Sequence, residues 1–155
     1  MRWRVVKRVP FNEVRERVIR LEHKYGDRFQ QLHEEFVAGR MPRDRFDDYV
    51  EWSSMIHSLR AAGEGEDFDY YAEEDLALTP EEFESLTPKR LQLLNYLADE
   101  HVSSINELAN HIGRDVKNVY GDLQILEHLG FLRLVKEGRS LVPELLVQEV
   151  TILLG

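Results

Sequence analysis

The chain has 155 residues, with 20 basic and 29 acidic side chains, a formal charge of −9, no cysteine and 43% hydrophobic residues. That length suits one domain or two small ones, and that apolar share excludes wholesale disorder. Zero cysteine excludes a disulfide framework, thiolate metal sites and a cysteine nucleophile. No apolar run approaches the roughly 18 residues of a membrane span. Met1–Phe11 is basic and lacks an apolar core, so no signal peptide is read and the expected location is cytoplasmic. Taken whole, −9 argues against a nucleic-acid binder, because phosphate repels carboxylate. Its distribution decides more. Residues 1–63 carry thirteen bases and ten acids, 64–84 carry ten acids and no base, and 85–155 carry seven bases and nine acids.

In chain order, Trp3 to Val9 is a short β-prone run stopped by Pro10. Phe11, Val14, Val18, Leu21 and Tyr25 then recur at helical spacing, with Gly26 as the stop and Asp27 as the next N-cap. Phe29, Leu32 and Phe36 predict a second short helix, ending near Gly39. Pro42 opens a third, whose stripe is Phe46, Tyr49, Trp52 or Ile56, and Leu59. His23, His33 and His57 show no metal-ligand spacing. The acidic stretch 64–84, entered through Gly63 and Gly65, reads as an interdomain linker.

The richest pattern follows. Thr87-Pro88 caps and starts a helix carrying Leu91, Leu94 and Leu97 to about Asp99. Ser104 stands three residues before Glu107, a capping-box spacing that starts a helix ended by Gly113. Asp115 caps the next, whose buried stripe is Val116, Val119, Leu123, Leu126 and Leu129. Phe131–Lys136 is a strand, Glu137-Gly138-Arg139 a turn and Ser140–Val142 a returning strand. The stretch Leu145–Leu154 favours strand. Helix, tight turn, helix and β-hairpin predict a winged helix-turn-helix. The expected fold is therefore mostly α with a small β wing: an N-terminal helical region over 1–63 for dimerisation or partner binding, a linker over 64–84, and a winged helix-turn-helix domain over 85–155.

In that geometry the second helix of the motif enters the major groove. Lys117, Asn118, Tyr120, Gly121 and Gln124 lie off its buried stripe. Asn and Gln pair bidentately with adenine edges, and Lys donates to guanine or phosphate. Arg114 in the turn, Lys136 and Arg139 at the wing tip, and Lys89 and Arg90 at the start of the first helix suit the DNA backbone. Ser85–Val142 is neutral, with seven bases and seven acids, so each copy should bind modestly and a homodimer would double the contacts.

The runs Leu86-Thr87-Pro88-Lys89-Arg90-Leu91, Gly113-Arg114-Asp115-Val116-Lys117-Asn118-Val119-Tyr120 and Leu126-Glu127-His128-Leu129-Gly130 resemble MarR-like predicted regulators. They are especially similar to the TumA-type antitoxins paired with TumE-type toxins. The resemblance covers residues 86–144 well, and 22–29 loosely. It implies a DNA-binding antitoxin that represses its own promoter and neutralises a ribonuclease toxin. Position 121 departs from it, being Gly where a larger polar or basic residue is expected.

Phe68, Tyr70, Tyr71, Leu76, Leu78 and Phe83 interleave with the acids of 64–84. Asp67, Phe68, Asp69, Tyr70, Tyr71 and Glu74 are therefore candidates to hold a basic toxin protein. The competing expectation is that these apolar residues pack within the chain or in a dimer. A stand-alone MarR-like repressor with dimerising or ligand-sensing N-terminal helices is the rival function. An enzyme is not expected, since no P-loop, Gly-rich nucleotide loop or nucleophile motif is present, and no cofactor, metal or membrane partner is expected.

Overall fold

The computed structural model describes residues 2–155. Its elements in chain order are β1 (Arg2–Arg8), α1 (Phe11–Tyr25), α2 (Phe29–Val37), α3 (Arg43–Gly63), β2 (Tyr71–Leu76), α4 (Pro80–Glu84), α5 (Pro88–Asp99), α6 (Ile105–Ile112), α7 (Val116–His128), β3 (Leu132–Glu137), β4 (Ser140–Leu145) and β5 (Val147–Leu153). They fall into two compact units. One joins β1 to Ala72–Gly155, and the other is Val9–Tyr71, inserted in chain order between β1 and β2.

In the first unit, β1 obeys the period-two rule of a strand with one buried face. Trp3 and Val5 are buried, while Arg4 points out and pairs with Glu73 at 3.1 Å. β1 lies in the middle of a three-stranded sheet of order β2-β1-β5. Its pairing with β5 is antiparallel and runs from Arg2–Leu153 to Val6–Glu149, after which a slip sets Lys7 against Val147. β3 and β4 form a separate antiparallel hairpin, closing at Glu137–Ser140 with Gly138 in the turn. Val5, Leu93, Leu108, Val119, Leu123, Leu126, Leu132 and Val147 belong to one buried cluster. Each such side chain contributes on the order of 1.5–3 kcal/mol on burial. Leu76 and Leu78, from the acidic stretch, pack against the same cluster.

The expected fold class is thereby corrected. The chain is not an N-terminal helical region followed by a separate C-terminal winged helix-turn-helix domain. Its first strand is built into the same sheet as its last, and the region after Leu132 is mainly strand. The physical reason is range. The β propensity of Trp3–Val9 is local and visible, but its partner lies some 145 residues along the chain, and strand propensity carries no information about pairing. The stretch 64–84 also holds more structure than a linker. It contains β2 and α4, the latter opened by Thr79 and Glu82 in a reciprocal capping box.

The second unit is built on aromatic side chains. Tyr25 stacks on Trp52 at 5.9 Å, Phe29 meets Trp52 edge-on at 4.9 Å, and Phe36 lies 4.9 Å from Tyr49. Such pairs add about 0.5–1.5 kcal/mol each beyond area burial. Arg17 bridges Glu13 on α1 to Glu51 on α3. Asp48 accepts hydrogen bonds from Lys24 Nζ at 2.7 Å and from the Tyr25 hydroxyl at 2.6 Å. Helix α2 starts from Arg28 without a side-chain cap, so Asp27 does not cap it as the sequence suggests. The insertion is closed at its base, where Val9 N–H donates to the Tyr70 carbonyl at 2.9 Å. Among the described residues, no helix is long and apolar enough to cross a membrane.

Candidate nucleic-acid interface

The candidate interface centres on α6, the turn after it, and α7. Ser104 starts α6: its Oγ accepts from Glu107 N–H at 3.0 Å, and the Glu107 carboxylate accepts from Ser103 N–H at 2.7 Å. That backbone hydrogen bond holds the Glu107 carboxyl below its ordinary range. Gly113 ends α6 in the left-handed region, with φ 67° and ψ 37°, and Arg114 N–H reaches back to the Ala109 carbonyl at 3.0 Å. One residue later, Asp115 Oδ1 accepts from the N–H groups of Lys117 at 2.9 Å and Asn118 at 3.3 Å. The turn is thus fixed from both sides.

Helix α7 is anchored by Val119, Leu123 and Leu126, all fully buried. The spacing that buries these three leaves Lys117, Asn118, Tyr120 and Gln124 exposed. Gly121 lies among them, and a Cβ there would meet nothing within 4 Å. The hairpin is tied to α7 by Leu134 N–H donating to Glu127 Oε2 at 2.7 Å. Its tip presents Lys136 and Arg139 to solvent. Arg139 and Tyr120 line one recess of about 250 Å³ with Ser104, Asn106, Val116 and Ser140. The structure therefore joins two of the sequence-selected residues, one from α7 and one from the hairpin, and adds Asn106 and Ser140.

Two selected residues serve a different end. Arg90 Nε donates to Asp122 Oδ1 at 3.1 Å, and Arg114 Nη2 donates to Asp122 Oδ2 at 2.6 Å. Arg90 also donates to the Ser85 carbonyl at 2.7 Å. All three side chains are under one fifth exposed. This carboxylate braces α5 and the turn against α7, so Arg90 and Arg114 are structural cations rather than open phosphate contacts. Asp122 lies on α7 next to Gly121, among the residues of the proposed reading face. Its pairing depends on how α5 and the turn pack against α7, and no local spacing announces it. Lys89 stays exposed at the start of α5.

The proposed protein-binding residues do not form one open patch. Tyr70 is buried, and Phe68 packs edge-on to Phe11 at 5.2 Å within the inserted unit. Asp67, Asp69 and Tyr71 are exposed, whereas Glu74 lies half-buried in β2, in the other unit. Among the described residues, no group of three or more His, Asp or Glu side chains converges as a metal site.

Residues 85–152 match the model of a protein family described as HVO_A0114. That span takes in α5 to nearly the end of β5 and leaves out the inserted unit. No curated protein matches the chain.

Proposed function

We propose that this chain is a sequence-specific double-stranded-DNA-binding regulator that reads a major groove with α7. The observation that carries the reading is the exposed set Lys117, Asn118, Tyr120 and Gln124 on a helix whose opposite face is locked into the core and whose first turn is capped by Asp115. The N-terminal turns of such a helix are the part that reaches base edges. Arg139, sharing a recess with Tyr120, would meet the adjoining backbone. The finer role, a cytoplasmic antitoxin that represses its own promoter and neutralises a basic ribonuclease toxin, rests on the sequence resemblance. Asp67, Asp69 and Tyr71 are the exposed residues it would use.

The test is binding to a duplex carrying the protein's own promoter, followed by fluorescence anisotropy at fixed salt. The double variant Lys117→Ala, Asn118→Ala should weaken binding by tenfold or more, since each base or phosphate contact is worth about 1–3 kcal/mol. Unchanged affinity with an intact fold would overturn the groove assignment. Co-expression with the adjacent small reading frame tests the antitoxin role: rescue from a toxic neighbour supports it, and a neighbour harmless on its own removes it.

A further inference from the structure

We propose that β5 is the docking edge for a second copy of this chain, added antiparallel, strand to strand, about a two-fold axis through Val150. The partner chemistry follows from what this edge shows. β5 stands at the outside of the β2-β1-β5 sheet, so among the described residues one side of its backbone has no strand beside it. Val150 pairs with Val5, and Ile152 with Trp3, so all four side chains share one face. Trp3 and Val5 are buried there, yet Val150 is 40% and Ile152 46% exposed. The two border a groove of about 560 Å³ that also takes in Phe83, Leu91 and Leu94. The core-facing side of the sheet therefore runs out of cover at β5.

Exposed sheet edges are normally blunted by charge, proline or a bulge. β2, the opposite edge, carries Glu73, Glu74 and Asp75 in succession. β5 carries one charge, Glu149, and no proline or lysine. Its irregularity falls between Val147 and Glu149, leaving the rest of the strand regular.

Charge selects the occupant. With the axis at Val150, the midpoint of the strand, Val150 meets Val150 and Glu149 meets Thr151, with Gln148 falling against Ile152 next to the irregularity. On the inner face Val150 meets its own copy and Gln148 lies against Ile152, and the single carboxylate faces a hydroxyl rather than its own copy. The same operation on β2, with the axis at Glu74, would set Glu74 against its own copy and Glu73 against Asp75, both repulsive pairs. A strand two-fold runs perpendicular to the sheet, so the inner faces of both copies lie on the same side. Val150 and Ile152 of each copy then help cover the other's groove. The inference stands without the DNA-binding reading, because its readouts are mass and cross-linking.

The test uses the full chain. Sedimentation equilibrium across about 1–100 µM should give twice the chain mass. Val150→Lys sets two like charges across the axis and should raise the dimer dissociation constant by about a hundredfold or more, with the far-ultraviolet spectrum unchanged. A monomer at every concentration would sink the proposal and leave the edge to a foreign strand. A dimer indifferent to Val150→Lys would place the interface elsewhere. Should Val150→Lys misfold, Val150→Cys decides. The chain has no cysteine, so any disulfide is between copies. Oxidation should cross-link Val150→Cys faster than Thr151→Cys or Ile152→Cys, and equal rates would overturn the register.

Discussion

At the scale of single residues, α7 holds two opposite uses of charge and space. Asp122 draws two guanidinium groups onto one carboxylate while all three lie largely out of water. Removing it leaves Arg90 and Arg114 poorly partnered, so Asp122→Ala should destabilise the fold by about 2–4 kcal/mol. A urea titration that finds less than 1 kcal/mol of loss would refute the bracing role. Gly121 is the converse case, a vacancy inside a helix. Ala there should raise helix stability by about 0.5–1 kcal/mol, because the added methyl meets nothing. If α7 approaches DNA closely at this point, the same variant should melt later and yet bind the promoter more weakly. A variant that binds as well as the parent would show that Gly121 is no contact point.

Among the elements, those bounded by local chemistry were readable from the chain. Ser104, Gly113 and Asp115 delimit α6 and α7 in the structure, as their cap chemistry requires. β2 was not readable, because carboxylates obscure its alternation: Ala72, Glu74 and Leu76 turn inward while Tyr71, Glu73 and Asp75 turn out. Within the site, the exposed face of α7 followed from helical periodicity. The engagement of Arg90 and Arg114 did not, since it depends on how α5 packs. In the inserted unit, the tie between α1 and α3 is ionisable. Burial works against the Asp48 carboxylate, but the hydrogen bonds from Lys24 and Tyr25 outweigh it and hold the group below its ordinary 3.8. A depressed carboxyl stabilises the fold above its unfolded-state value, and that contribution is lost as pH falls through the folded-state value. Each unit holds one tryptophan, so in a Trp3→Phe background the emission of Trp52 reports the insertion alone. Its acid transition should shift upward in Asp48→Asn if the tie matters. An unmoved transition would show that the tie contributes nothing.

For the whole molecule, the charge of −9 separates by region, and the excess lies in residues 64–84, outside α5 to β4. About four exposed bases remain to meet phosphate in each copy: Lys89, Lys117, Lys136 and Arg139. The logarithm of the promoter affinity should then fall with that of salt at a slope of about −3 to −4 per copy. A slope near zero would count against DNA as the ligand. The insertion gives a second prediction at this scale. β1 and β2 are sheet neighbours, and Val9 and Tyr70 are joined at the base of the insertion. Replacing Val9–Tyr70 by a short Asn-Gly turn should leave the first unit folded, as judged by Trp3 emission and a single melting transition. Failure of that shortened chain to fold would mean that the insertion is needed to form the sheet.

The pairing of Arg2 with Leu153 has a consequence for the order of events during synthesis. Everything in Val9–Tyr71 can fold as soon as it leaves the ribosome, because its contacts are internal to a continuous stretch. β1, made before it, can pair with β2 once that strand is made, but its other edge has to wait until β5 has been translated. At about 5–20 residues per second that wait lasts roughly 7–30 seconds. Throughout it the nascent chain carries a strand with one open edge, the kind of segment that chaperones retain.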